Sequence, residues 1–349
     1  MKIIVSPLIA VSILNQAELI KKLIIEKGYD VEFKNTITVF DINDENNKAF
    51  LWFTLATVNF LGDAVFPYLY CQKPKAIYVT IEGVPTKTNL IQTNIDKLEF
   101  IANSNFTAEC LSKSGLKVID VVHHAIDIEM SEKAMKAAEP IKKQWLNEFE
   151  GRCKILFVGR NDPRKRLDQL FKSVASLLLS GRDDFVLLTI TDINAEEQYS
   201  EFYKLKNIIP LAHFGSLRYF DVLKYMAAAD FLVFPSVCEG FGLPVLEANS
   251  VGTPVIHCWM PPLSEFSSQE FNFVFPFEIK EFVNQGNVQF WIFHEYLTEV
   301  LTDMISFAVD CFLKNKKEYN EYRAKAIEHA KNFDYHKIYP KLLKHLEIE

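Results

Sequence analysis

Two glutamates, Glu239 and Glu247, are separated by seven residues that include Gly240, Phe241, Gly242, Leu243 and Pro244. The stretch that holds them, FLVFPSVCEGFGLPVLEANSVGTPVI from Phe231 to Ile256, reads as a buried strand, a glycine-bearing loop and a helix. Pro244 suits the start of that helix, where an N–H would have no partner anyway. Gly252 and Thr253-Pro254 then close it. A glycine loop running into a helix N-terminus offers free backbone N–H groups and the positive end of a dipole, which together suit a phosphate. Glu239 on the loop and Glu247 in the first helical turn are expected to face one cleft beside that anion. Carboxylates placed there accept charge-assisted hydrogen bonds from sugar hydroxyls.

The elements that must position these groups alternate along the chain. In the first 125 residues, Lys2–Ser6, Tyr29–Phe33, Lys75–Ile81, Glu99–Ala102 and Lys117–Val122 read as strands, with Ile37–Phe40 a candidate sixth. Helices are predicted over Gln16–Lys27 and about Asn105–Ser114. Ala49–Tyr70 (AFLWFTLATVNFLGDAVFPYLY) is long and apolar, but Asp63, Asn59, Gly62 and Pro67 argue for a buried strand and a core helix over a membrane span. Ser131–Glu150 is charged and helical and fits a connector. A second series follows, with strands at Lys154–Val158, Phe185–Ile190, Ile208–Leu211, Phe231–Phe234 and Pro254–His257 and helices at Leu167–Leu179, Tyr219–Ala228 and Pro244–Ser250. After Gly286 the chain is predicted to be mostly helical. Strands alternating with helices imply parallel sheets covered on both faces. The fold class is therefore α/β, with two doubly wound domains over 1–145 and 146–320 and a helical tail over 321–349 that crosses back to the first domain.

Composition excludes other classes. The chain has 349 residues, 49% hydrophobic and 24% charged, which rules out a largely disordered protein. A formal charge of −7 gives no overall attraction to nucleic acid. The six cysteines are scattered without a C-x-x-C pair, so neither a zinc site nor a disulfide framework is expected, and reduced cytoplasmic thiols are the default. The N-terminal residues lack a signal-peptide pattern. Ile20, Leu23 and Ile24 form an apolar stripe beside Lys21 and Lys22, and the tail is basic. The stripe is expected to pack on its own sheet, with a peripheral membrane face as the alternative.

The spacing of Glu239 and Glu247 around GFGLP resembles the E-x7-E motif of retaining glycosyltransferases of family four, whose two Rossmann-like domains face a central cleft in the GT-B fold. Ile155–Arg166 (ILFVGRNDPRKR) resembles the G-R…K-G segment of that family, which places Gly159, Arg160 and Lys165 at the donor diphosphate. ANSNFT from Ala102, His123–Asp127, Gly215 with Tyr219–Asp230, and Leu263-Ser264-Glu265 follow in the family's order. The resemblance implies a metal-independent hexosyltransferase with no cofactor, using a nucleoside-diphosphate sugar as donor. Glu239, Arg160 and Lys165 would be catalytic, with Glu247, Phe241, Gly242, Leu243 and Gly159 binding the donor. Arginine supplies a fork and lysine a point charge for a diphosphate whose charge grows as the glycosidic bond breaks.

The first domain departs from the family pattern. The loop after the first strand, Ser6–Ser12, has no glycine, and Glu82 stands where many relatives have histidine. Glu82 is a candidate acceptor or sugar contact. Arg166 replaces a common glycine, which leaves open which of Arg164, Lys165 and Arg166 reaches the phosphate. The acceptor stays open between glycan, lipid and protein. A non-catalytic nucleotide-sugar-binding protein and another GT-B enzyme, such as a sugar epimerase, are the competing readings.

Overall fold

The computed structural model describes residues 1–286 and 288–349. The first domain is built from β1 (Lys2–Pro7), α1 (Val11–Glu26), β2 (Asp30–Phe33), α2 (Val39–Asn43), β3 (Asn47–Leu55), α3 (Val58–Tyr70), β4 (Lys75–Thr80), β5 (Gly83–Pro85), α4 (Lys87–Gln92), β6 (Glu99–Ala102), α5 (Asn105–Lys113) and β7 (Lys117–Val121). Six of these strands form a parallel sheet in the order β2-β1-β3-β4-β6-β7. Its strands are apolar on both faces because helices cover both. Ile3, Val5, Leu51, Phe53 and Tyr78 face α1, whose buried residues include Ile20, Leu23 and Ile24. The alternate residues Ile4, Phe50, Trp52, Ile77 and Val79 pack with Leu61 of α3 and with Phe106 and Leu111 of α5. The apolar stripe of α1 is thus spent on its own sheet. Among the described residues no helix is long and apolar enough to cross a membrane.

Helices α6 (Ile128–Ala137) and α7 (Glu139–Glu148) lead to the second domain. It contains β8 (Cys153–Val158), α8 (Leu167–Leu179), β9 (Phe185–Thr191), α9 (Ile193–Gln198), α10 (Ser200–Tyr203), β10 (Ile208–His213), α11 (Tyr219–Ala228), β11 (Phe231–Phe234), α12 (Leu243–Ser250), β12 (Val255–Cys258) and β13 (Phe273–Phe275). The second parallel sheet runs β10-β9-β8-β11-β12-β13. Both sheets are doubly wound. The chain continues through β14 (Ile279–Gln285), β15 (Gln289–Glu295), α13 (Thr298–Lys314), α14 (Lys316–Ala330) and α15 (Tyr335–Lys344).

One expected strand is absent. Ile37–Phe40 is not a strand, because Thr38 and Asp41 form a reciprocal capping box that starts α2 at Val39. After Gly286 the chain is mostly helical, as expected, but Gln289–Glu295 first returns antiparallel along Ile279–Gln285 as a hairpin. That hairpin also pairs with β5 of the first domain, aligning Phe290 with Val84 and Trp291 with Gly83. The Thr86 N–H donates to the Val288 carbonyl at 3.0 Å, and the Ile292 N–H to the Glu82 carbonyl at 3.2 Å. A three-stranded sheet therefore spans the two domains.

The C-terminal helix makes the second crossing. α14 packs on α12 of the second domain, and α15 packs on α1 of the first. Buried Gln16 of α1 exchanges hydrogen bonds with the Ala125 backbone and accepts one from the Tyr339 hydroxyl of α15. Lys341 and His345 of α15 both pair with Asp120 at the end of β7.

Candidate active site

The loop between β11 and α12 is held before it reaches Glu239. The Tyr296 hydroxyl donates to the Pro235 carbonyl at 2.5 Å, and the His294 N–H of β15 donates to the Val237 carbonyl at 2.8 Å. Val237 in turn donates its N–H to the Arg164 carbonyl at 2.9 Å. The basic turn after β8 is thereby fixed against the glutamate loop. Asp162 caps that turn by accepting the Arg164 N–H at 3.1 Å.

Glu239 is buried, and its Oε1 collects three donors. Lys165 Nζ and Ser236 Oγ each lie at 2.5 Å, and Arg164 Nη1 lies at 3.4 Å while also donating to the Cys238 carbonyl at 3.0 Å. Burial alone would raise the Glu239 pKa, but the Lys165 ammonium and Arg164 guanidinium outweigh it and hold the carboxyl below its usual range. Burial pulls the Lys165 ammonium below its usual range, and Glu239 works against that pull. Of the three basic residues the sequence left open, Arg164 and Lys165 reach Glu239. Arg166 turns away to pair with Glu295 of the hairpin and lies over the Phe293 ring.

Arg160 does not join this cluster. Its side chain is 71% exposed, with Nε 3.5 Å from Asp192. Gly159 donates its N–H to the Ile190 carbonyl at 3.1 Å and lies against the Phe157 ring, which leaves little room for a side chain. Arg160 therefore stands apart from the cluster, in which Lys165 lies nearest the glutamate and Arg164 next to it.

Gly242 caps α12 at φ 92°, a left-handed conformation that favours glycine. Among the described residues the N–H groups of Phe241, Gly242 and Leu243 donate to no protein acceptor. The side chains of Phe241 and Leu243 are buried, with Phe241 stacked on Phe266 at 4.6 Å, so only their backbone faces the site. Glu247 is the fifth residue of α12 and not in its first turn. It is buried beside the Tyr219 hydroxyl, and burial pushes its pKa up to about 7 while the hydrogen bond from Tyr219 acts the other way.

The first domain closes directly onto this loop. A Cβ at Gly240 would overlap Thr80 Oγ1 and crowd the Ile81 carbonyl, so only glycine allows the approach. Ser104 Oγ donates to the Gly240 carbonyl at 3.3 Å. Glu82, just past β4, brings its carboxylate to 3.9 Å from Arg164 Nη2, and its carbonyl accepts from the Cys238 thiol at 3.3 Å. Glu265 of the Leu263–Glu265 turn accepts the N–H groups of Asn105 and Phe106, each at 2.8 Å, and meets His123 Nε2 at 3.0 Å. It thus caps α5 from across the cleft. His124 is enclosed by Tyr78 and Asn103, and burial lowers its pKa to about 3, so it stays neutral and structural. Sequence reasoning gave no role to Ser236, Tyr219 or the hairpin. None of them carries a local signal, since each acts through a partner distant in the chain.

The chain is similar in sequence and fold to known proteins. Residues 139–286 match the family model for glycosyl transferases group 1. The uncharacterized glycosyltransferase 335 of Sulfolobus islandicus rod-shaped virus 1 is 29% identical over 282 residues, 79% of this chain and 82% of its own. The 2-deoxystreptamine glucosyltransferase of Streptomyces kanamyceticus is 34% identical over 140 residues, 40% of this chain and 36% of its own. Among solved structures, HepE of Anabaena in complex with UDP and glucose superposes with a TM-score of 0.71 at 14% identity, covering 99% of both chains. The sucrose-phosphate synthase of Thermosynechococcus elongatus gives a TM-score of 0.72 at 13% identity, covering 98% of this chain and 97% of that one. At these identities the structural likeness is one of fold, and the fold is GT-B.

Proposed function

We propose that this chain, whose residues 139–286 match the family model for glycosyl transferases group 1, is a glycosyltransferase that moves a hexose from a nucleoside-diphosphate sugar to an acceptor hydroxyl, with retention and without a metal ion. The observation that carries this reading is the buried Glu239, gathered with Lys165 and Arg164 beside the free N–H groups that open α12. A carboxylate, two cations and a helix N-terminus match the hydroxyls and diphosphate of such a donor.

On this reading the diphosphate draws Lys165 and Arg164 partly off Glu239, which turns to the sugar hydroxyls. The N–H groups of Phe241, Gly242 and Leu243 take further phosphate oxygens, and the growing charge on the leaving group is met by donors already in place. The acceptor attacks from the face the diphosphate leaves, and a donor phosphate oxygen accepts the acceptor's proton. Closure of the first domain over Gly240 excludes water from the broken bond. Glu247 holds the ribose hydroxyls. Glu82, 3.9 Å from Arg164 Nη2, is the first-domain carboxylate that would contact the sugar or the acceptor. A nucleotide-release assay with a panel of nucleotide sugars tests the reading. Binding without turnover for every donor and acceptor mixture would instead leave a non-catalytic nucleotide-sugar-binding protein.

Two outcomes belong to this reading. Glu247→Ala should weaken a nucleotide sugar by roughly 10- to 100-fold, the loss of a charged hydrogen-bond acceptor worth roughly 1.5–3 kcal/mol. The carboxyl must be ionised to accept from ribose, and its pKa of about 7 is raised. Nucleotide-sugar affinity should therefore climb as pH rises through about 7 and level off above it. Calorimetry across that window checks both, and Glu247→Gln should flatten the dependence. Activity should also survive EDTA. A collapse restored by magnesium or manganese would contradict neutralisation by Lys165, Arg164 and backbone N–H groups alone.

A further inference from the structure

We propose that Ser236 is the positioning residue of the donor-sugar site: its hydroxyl keeps Glu239 Oε1 in place when the diphosphate draws the cations away, so that Oε2 alone meets the sugar. The inference rests on the transferase reading above. The donors that reach Glu239 all converge on Oε1: Lys165 Nζ, Ser236 Oγ and Arg164 Nη1. Oε2 receives no donor among the described residues and is not sealed from solvent. A carboxylate oxygen has room for two donors, so Oε2 is the atom left to accept a ligand hydroxyl.

The three donors differ in what else can claim them. Lys165 and Arg164 are cations on long side chains, and a diphosphate competes with the carboxylate for both. Ser236 is short, neutral and fully buried. Its backbone is tied on either side, since the Pro235 carbonyl accepts from Tyr296 at 2.5 Å and the Val237 carbonyl from the His294 N–H at 2.8 Å. The single hydroxyl proton has three acceptors in reach: Glu239 Oε1 at 2.5 Å, the Arg164 carbonyl at 3.1 Å and the Cys238 carbonyl at 3.3 Å. Both carbonyls already have a donor, the Val237 N–H at 2.9 Å and Arg164 Nη1 at 3.0 Å. The proton therefore belongs to the carboxylate. A buried carboxylate that gave up its cations and kept no donor would be costly to leave ionised, and Ser236 supplies the donor that stays.

The test compares wild type with Ser236→Ala on the nucleotide sugar that turns over in the donor panel, on its monodeoxy analogues and on the free nucleoside diphosphate. Turnover of the full sugar should fall roughly 10- to 100-fold, the scale of one hydrogen bond to a charged group. The free diphosphate should bind as tightly as to wild type. With the one analogue that lacks the hydroxyl held by Oε2, Ser236→Ala should slow turnover no further, because the two changes remove the same contact. An equal loss on every analogue, or a matching loss of diphosphate affinity, would make Ser236 a purely structural residue and overturn the proposal. So would an unaffected variant. A wild-type crystal soaked with the same donor gives a check that needs no variant. Glu239 Oε1 should stay on Ser236 Oγ while Oε2 contacts the sugar, and the reverse arrangement would overturn the proposal. Wild-type protein that binds no nucleotide sugar would defeat the transferase reading and this inference with it, whereas active wild type with an unaffected Ser236→Ala defeats this inference alone.

Discussion

Lys165→Ala is expected to lower kcat by roughly 100- to 1,000-fold, the scale of removing one preorganised donor from a developing negative charge. The side chain is buried, so no bulk water replaces it readily, and Glu239 loses its closest cationic partner at the same time. Affinity for the nucleotide sugar should fall less than turnover, because the charge on the diphosphate is greatest in the transition state. Glu239→Gln should lose turnover on a similar scale, since an amide cannot hold the sugar hydroxyls as a carboxylate does. Arg160→Ala should cost clearly less than Lys165→Ala, because Arg160 stands apart from the cluster with its side chain in solvent. Steady-state kinetics on the three variants decide the order. A larger loss for Arg160→Ala would move the diphosphate away from the Glu239 cluster.

Gly83→Ala is the second large effect. A Cβ there would overlap the Phe290 carbonyl oxygen, and the obstacle is backbone with no flexible side chain to give way. The substitution should therefore unpair β5 from β15 and release the cross-domain sheet. Lost with it would be the Ile292 and Thr86 hydrogen bonds, each worth about 0.5–1.5 kcal/mol. Glu82 and the Cys238 contact shift as well. The expected result is faster proteolysis of the hairpin, a larger radius of gyration by X-ray scattering, and a kcat/KM at least roughly tenfold lower. Unchanged hydrogen exchange at Ile292 and Thr86 would show that the pairing does not hold the domains together.

Much of this architecture was legible in the residues themselves. Runs such as KAIYVTI and FLVF are apolar throughout because both faces of each sheet are covered, and the glycines and proline around Glu239 mark a loop entering a helix. What stayed hidden depends on distant partners. Nothing within Ile279–Glu295 shows that its strand will pair with Gly83–Pro85, since the bonds are backbone to backbone across some 200 residues of chain. The choice between Arg160 and Arg164 turns on Asp162, whose cap folds the basic turn toward Glu239. Thr38 and Asp41 override the strand-like Ile37–Phe40 because a reciprocal cap satisfies the backbone locally. The Leu263–Glu265 turn matched in order, yet its glutamate caps a helix of the other domain, which spacing alone does not convey.

The most direct test of the donor site is the crystal structure of the chain soaked with a set of nucleoside-diphosphate sugars. The diphosphate should lie between Lys165, Arg164 and the N–H groups of Phe241, Gly242 and Leu243, with ribose on Glu247 and the sugar on Glu239. A nucleotide seated elsewhere, or one bound while Lys165 and Glu239 keep their full pairing, would contradict it.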